Sequence, residues 1–416
     1  MKQIIISFLI LSYIILLVGC GQEEASSGLE IASDVEFGEE DYKKVVSPSN
    51  ALGFDVLSKV EGNADGNVFI SPTSLFMVLA MVYNGADGNT KEEMEKVMHV
   101  EGIDVNEINQ ANASLLTMLN NASNQVQLNI ANAIWLNKEY HFEDLFSQST
   151  RDYFNAEIEE IDMDDPSAPQ IINDWVENAT NKKIKNMVDN PLTPNLVSLL
   201  INAVHFKGGW TDEFDKKLTK DQPFYLEDGS TKEVALMSLQ KSFAYLDNDD
   251  FQAISLPYGE NEEMSMKVFL PKESVSLTEF KSMLTVKNWN NWINEFQYED
   301  GTIKLPRFQI EYDVLLNDKL KELGMPSAFD VKSVNFSNMI KEDELIWISY
   351  IKQKTFLEVN EKGAEAAAAT SVGMTDGAAP PSNQPFVMEV NRPFFIAITD
   401  EATGTILFMG SVFNPS

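Results

Sequence analysis

Between Leu75 and Tyr83 the run LFMVLAMVY is apolar on every face, which predicts a helix buried all round rather than one lying on a surface. Ser71 stands just ahead of it as a cap, and Pro72 opens it at the position where a missing N–H costs nothing. Further on, Thr90 and Glu93 have the spacing of a capping box for KEEMEKVM. A different period governs QLNIANAIWL, where Leu128, Ile130, Ile134 and Leu136 share one strand face and Asn132 interrupts it. LVSLLINAVHF and ILFMGSVFNP are apolar at both parities, the pattern of strands covered on two sides. NPLTPN (190–195) is a short breaker, not a domain boundary. Helices and strands interleave without a regular βαβ rhythm, so the pattern predicts one large α+β domain with substantial sheets.

Composition makes such a core feasible and narrows the partners. Of 416 residues, 44% are hydrophobic and 10% aromatic, while the formal net charge is -33. No basic run exceeds a doublet, as at Lys182-Lys183 and Lys216-Lys217. Nucleic acid, heparin and anionic membrane surfaces, which need clustered Lys and Arg, are therefore not expected partners.

The N-terminus has the pattern of a targeting segment and is kept out of the fold. Lys2 precedes an apolar run over 4–18, short of the roughly 20 residues that span a bilayer as a helix. Leu17-Val18-Gly19-Cys20 resembles a bacterial lipobox, with Cys20 the lipid-modified residue. Residues 1–19 then form a lipoprotein signal peptide, 20–46 a flexible acidic leash, and 47–416 the folded domain. The expected location is outside the cytoplasmic membrane of a bacterial cell, lipid-anchored or secreted, with membrane contact only through the anchor. Cys20 is the single cysteine, so no disulfide can form within one molecule.

Catalytic options are few. The chain has three histidines, His99, His141 and His205, and lacks GxSxG, HExxH, CxxC and GxxxxGK[ST] motifs. His205 sits in the apolar strand NAVHF, where a core residue paired by hydrogen bonding is the expected role. The acidic piece DNDDF (247–251) lacks the spacing and distal Glu of a calcium loop. No catalytic residue, metal or cofactor is expected, and the reading is not an enzyme.

Five stretches, in order over more than 300 residues, resemble the serpin family of protease inhibitors. They are NVFISPTSLFMVLAMVYNGADGNT (67–90), NAVHFKGGWTDEFD (202–215), LPRFQIEYDVLLNDKLKELGM (305–325) with AFDVKSVNFSNM after it, NEKGAEAAAATSVGM (360–374), and RPFFIAITDEATGTILFMGSVFNP (392–415). The resemblance implies a serpin fold: a single large domain with three β-sheets, eight or nine helices and an exposed reactive-centre loop at about 361–390. It also implies a monomer that acts as an irreversible suicide-substrate inhibitor of serine endopeptidases, with cysteine proteases as a second target class. The acyl-enzyme would be trapped when the cleaved loop enters the central sheet, and serpin loop insertion is a standard example of strand addition and released strain. The alternative is a non-inhibitory serpin-fold binding protein on the cell surface.

The loop residues bear directly on that choice. The resemblance places the hinge at Glu361, Gly363, Ala364, Ala366, Ala367, Ala368, Ala369 and Thr370. Counted from Gly363, one parity carries Ala364, Ala366, Ala368, Thr370, Val372 and Met374, uncharged and small at the start, while the other parity carries Glu365. No proline occurs over 363–379, so no ladder donor is missing. The reactive bond falls at Gly377-Ala378 by family spacing from the hinge, with Met374-Thr375 and Ser382-Asn383 as alternatives. No Lys or Arg lies over 363–391, so elastase-, subtilisin- or chymotrypsin-like proteases are expected rather than trypsin-like ones, whose pocket needs a cation. The resemblance further assigns Trp210, Arg307 and Glu361 to the top of the central sheet, where insertion begins. It assigns Ser71, Ser74 and Asn202 to the polar cluster that lets the central strands part. Gln353 stands where animal members usually carry histidine, and glutamine can still donate and accept hydrogen bonds.

Overall fold

The computed structural model describes residues 31–120, 126–364 and 385–415. The first half of the chain runs through α1 (Lys43–Lys59), β1 (Val68–Ile70), α2 (Pro72–Tyr83), α3 (Gly88–Val97), α4 (Val105–Asn120), β2 (Val126–Asn137), α5 (Asp144–Phe154), β3 (Glu157–Ile161) and α6 (Ala168–Ala179). Next come β4 (Ser198–Gly209), β5 (Lys220–Tyr225), β6 (Thr231–Asp247), β7 (Phe251–Tyr258), β8 (Met264–Pro271), α7 (Leu277–Met283) and α8 (Val286–Glu295). The rest comprises β9 (Gln297–Pro306), β10 (Phe308–Leu315), α9 (Asn317–Leu323), β11 (Tyr350–Asn360), β12 (Gly363–Ala364), β13 (Phe386–Glu389), β14 (Phe394–Asp400) and β15 (Ile406–Val412).

The architecture is α+β. Among the described residues the strands join into two hydrogen-bonded sheets where the sequence led us to expect three. The larger has the order β1-β15-β14-β8-β7-β6-β9-β13, with β5 also paired to β6. Its continuity comes from the length of β6, which pairs β9 over Leu236–Tyr245 and β7 over Tyr245–Asp247. The smaller, central sheet runs β10-β11-β12-β4-β2-β3, and β11 also pairs directly with β4.

Every residue of α2 is buried, as its unbroken apolar run predicts, and the Ser71 side chain accepts from the Ser74 N–H to cap it. The central strands are covered on both faces. Leu200, Val204 and Phe206 of β4 join the main core, whereas Leu199, Ile201 and Ala203 pack with Ile172 and Val176 of α6. That double cover is why LVSLLINAVHF is apolar at both parities.

Two local expectations are corrected. Thr90 and Glu93 do not form a capping box, because α3 begins at Gly88 with Asp87 as its N-cap. Instead Thr90 Oγ1 accepts from the Asn335 N–H, and Glu93 Oε2 accepts from the Ser327 N–H and hydroxyl, holding the 3-10 turn Ser327–Phe329. The segment from Ile31 to Val46, expected as part of the leash, is docked. Ile31, Tyr42 and Val46 pack on the core, Ser114 donates to Glu39 O, and the boundary expected at residue 47 falls inside α1.

Candidate functional site

The middle of the central sheet carries one polar rung across three strands. Asn132 of β2 lies opposite Asn202 of β4, and Asn202 lies opposite Gln353 of β11. Their side chains meet beneath the start of α2. The Asn202 amide donates to Ser74 Oγ and Asn132 Oδ1, while the Ser74 hydroxyl also donates to Asn132 Oδ1 at 3.1 Å. Gln353 uses both ends of its amide: Nε2 donates to Asn202 Oδ1 and to Ser71 O, and Oε1 accepts from the Ser71 N–H at 2.9 Å. All five side chains are buried, so each would be costly without a partner. The structure thus brings Ser71, Ser74, Asn202 and Gln353 together and adds Asn132. Its signal in the sequence was an amide placed in register with the apolar face of β2.

Below and above this rung the sheet differs. Over Leu199–His205 and Tyr350–Phe356 the strands β4 and β11 pair directly and in parallel. Nearer the end of β11 the chain turns at Glu361-Lys362 and comes back between them. Here β12 pairs antiparallel with β11 (Ala364 opposite Val359) and with β4 (Gly363 opposite Gly209, Ala364 opposite Gly208). Gly363 has φ +140°, and a Cβ there would lie 2.0 Å from Gly208 O. Only glycine fits this approach of two backbones. Ala364 is fully buried.

The turn before β12 is pinned by groups from other elements. The Trp210 N–H donates to Lys362 O, its indole N–H to Asn360 O, and the Phe214 N–H to Glu361 O, each at 2.9 Å. Trp210 is buried and stacks on Tyr258, with ring centroids 4.3 Å apart. The Glu361 carboxylate accepts from Arg307, with Nε at 2.8 Å, and from the Thr219 hydroxyl at 2.6 Å. Burial by itself would raise the Glu361 carboxyl, but the hydrogen bonds from Arg307 and Thr219 outweigh it and hold the group below the usual value. Trp210, Arg307, Glu361 and Gly363 are therefore gathered at one place. Thr219, Asn360 and Lys362 were missed, the last two because their contribution is a backbone carbonyl, which no side chain announces.

The histidines have structural partners. His99 Nε2 lies 2.7 Å from Asp55, His141 Nδ1 lies 2.7 Å from Glu342, and His205 is buried beside Phe356. The remaining candidate residues, Cys20, Ala366, Ala367, Ala368, Ala369, Thr370, Met374, Thr375, Gly377, Ala378, Ser382 and Asn383, lie outside the described residues.

The chemical capacity of this site is mechanical. A short strand already occupies the mouth of a seam between two parallel strands, and the polar rung at the middle of the seam is held by amide and hydroxyl bonds. Comparison with known proteins points the same way. A family model described as Serpin (serine protease inhibitor) matches residues 47–415. An uncharacterised serpin-like protein of Thermococcus kodakarensis is 35% identical over 375 residues, covering 90% of this chain and 86% of its own. The leukocyte elastase inhibitor of Homo sapiens is 33% identical over 370 residues, covering 86% of this chain and 96% of its own. The native-state crystal structure of a thermophilic serpin, tengpin, superposes with a TM-score of 0.82 at 30% identity, covering 92% of this chain and 97% of that one.

Proposed function

The chain belongs to the serpin family, and from that premise we propose that it is an inhibitory member, a suicide substrate for serine endopeptidases. The observation that carries this reading is β12. The first two residues of the small-residue tract already pair with both β4 and β11, antiparallel to each, as a returning loop must. Extending the same register would turn Ala366 and Ala368 toward the face on which Ala364 is buried. A non-inhibitory binder has no need for a run of small residues aligned on that face.

In the proposed reaction the protease's serine attacks the carbonyl of the scissile bond and the new amino terminus departs. The acylated half of the loop then follows β12 into the seam, carrying the enzyme with it. The scissile bond is Gly377-Ala378, with Met374-Thr375 and Ser382-Asn383 as the other positions to test. The absence of Lys and Arg over 363–391 disfavours trypsin-like enzymes, and the human relative is named for leukocyte elastase. Elastase-, subtilisin- and chymotrypsin-like enzymes are the proposed targets. We also propose that Cys20 is lipid-modified and tethers the protein outside the cytoplasmic membrane, which labelling with a radioactive fatty acid and a Cys20→Ala control would test.

The deciding experiment is incubation with subtilisin and with pancreatic elastase, followed by a denaturing gel and sequencing of the released fragment. A covalent complex that survives the gel, with a new amino terminus within 375–383, is the expected result. Rapid cleavage of the loop by both enzymes with no complex would overturn the inhibitory reading.

A further inference from the structure

A cavity of about 320 Å³ lies beside the turn that precedes β12, a size at the lower end for small-molecule sites. Its apolar walls come from Trp210, Phe214, Phe243, Leu256 and Tyr298. These belong to β6, β7, the start of β9 and the segment after β4. Tyr298 is 75% exposed, which leaves a large aromatic surface at the mouth with little to cover it among the described residues.

The polar lining has a definite sign. Of the four charged side chains that line the cavity, three are carboxylates, Asp212, Glu262 and Glu401, against the single cation Lys241. Lys241 is paired with Asp212, so that pair is neutral. Glu401 accepts from the Ser265 hydroxyl, the Thr399 hydroxyl and the buried Lys267 ammonium, all at Oε1. Lys267 balances Glu401 and leaves Glu262, an exposed residue of the turn between β7 and β8, as the surplus charge.

We propose that this cavity is a binding site for a small aromatic amine, with the flat apolar body held between the aromatic walls and the ammonium directed at Glu262 and Glu401. Aromatic walls favour a flat body by stacking, and ring faces also attract cations. The surplus carboxylate selects the amine over an acid of the same shape. Trp210 and Phe214 also hold the turn at 360–362 through their backbone N–H groups, so an occupant touches the same residues that pin the hinge. That coupling rests on the inhibitory reading above, whereas binding itself does not.

The test uses the intact chain without protease, so its failure is distinct from a failure of inhibition. Titration calorimetry with 1-naphthylmethylamine and with 1-naphthoate compares one ring system carrying opposite charges. One saturable site for the amine, at least ten-fold tighter than the carboxylate, is expected. Ser242→Trp, at an exposed position on the cavity lining, should weaken both ligands at least ten-fold by filling the space. Glu262→Gln should reduce the preference for the amine at least three-fold, weakening the amine and relieving the repulsion of the carboxylate. Circular dichroism of each variant separates loss of the site from loss of the fold. Equal binding of the two ligands, no saturable binding of the amine at millimolar concentration, or full binding by folded Ser242→Trp would overturn the proposal.

Discussion

Gly363 occupies the most demanding backbone position of the site, with φ +140° and the Gly208 carbonyl where a Cβ would go. Gly363→Val must displace either its own strand or β4. We expect β12 to leave the seam, at a cost of about 1–3 kcal/mol for a residue forced into such a conformation. Hydrogen exchange read over residues 359–364 would speed up in the variant, and unchanged exchange would show that the pairing tolerates a side chain. Glu361 gives a second residue-scale prediction, with a definite sign. Its folded-state value lies below the ordinary one because Arg307 and Thr219 donate to it. The stabilisation is therefore present above the unfolded value and is lost as pH falls through the lower folded value. Protection of the Phe214 amide, which donates to Glu361 O, should fall relative to its intrinsic exchange rate as pH drops below about 4, and Glu361→Gln should flatten that response. At this scale the sequence was legible wherever a residue type states its own requirement. Gly363 at a close approach of two backbones, Ser71 ahead of Pro72 and Asn132 on an apolar face each carry such a mark. Asn360 and Lys362 do not, because their carbonyls could belong to any residue.

The elements show what a linear pattern omits. Hydrophobic periodicity located α2, β2, β4 and β15, since burial on one or two faces writes itself into the alternation of side chains. It misplaced the start of α3, because Thr90 and Glu93 satisfy a capping rule locally yet are claimed by the turn at Ser327, more than 200 residues away. It also could not show that 31–46 docks on the core, where one of the bonds runs from Ser114 of α4 to the backbone carbonyl of Glu39. The register of β12 yields a prediction about an element not yet in place. Carrying both pairings on by six residues sets Thr370 opposite Asn202 on one side and Gln353 on the other. An inserted strand would separate those two amides and offer them a hydroxyl in exchange. Thr370→Val should therefore lower the thermal stability of the loop-cleaved protein by about 1–3 kcal/mol, the cost of an unsatisfied buried group. The intact protein should be unaffected, and scanning calorimetry of both forms reads the difference. An equal loss in both forms would place Thr370 elsewhere.

On the scale of the whole molecule, the proposed insertion would realise a large stabilisation that the native fold does not hold. Opening the seam breaks the direct pairing of β4 with β11, but a full central strand would then bond on both sides. At about 1 kcal/mol per net hydrogen bond the gain is on the order of 10 kcal/mol, comparable to the stability of an ordinary domain. On the inhibitory reading proposed above, trapping of a protease would depend on how fast that gain is collected relative to hydrolysis of the acyl bond. On that reading the seam must accept side chains without widening, which would account for a tract of alanine after Gly363 although alanine favours helix. In the register of β12, Ala366 would enter between Leu357 and Phe206, both essentially inaccessible to solvent. Ala366→Arg places an unpaired guanidinium there, at a cost of several kcal/mol, early in the path where little has yet been gained. The native fold should keep its stability, since the site is filled only on insertion. We therefore expect the variant to be cleaved by subtilisin or elastase at the wild-type rate while the yield of gel-stable complex falls at least ten-fold. The cleaved variant should also lack the rise in melting temperature expected of the cleaved wild type. A normal yield of complex would mean that trapping does not require this residue to be buried, and the register drawn from β12 would be wrong.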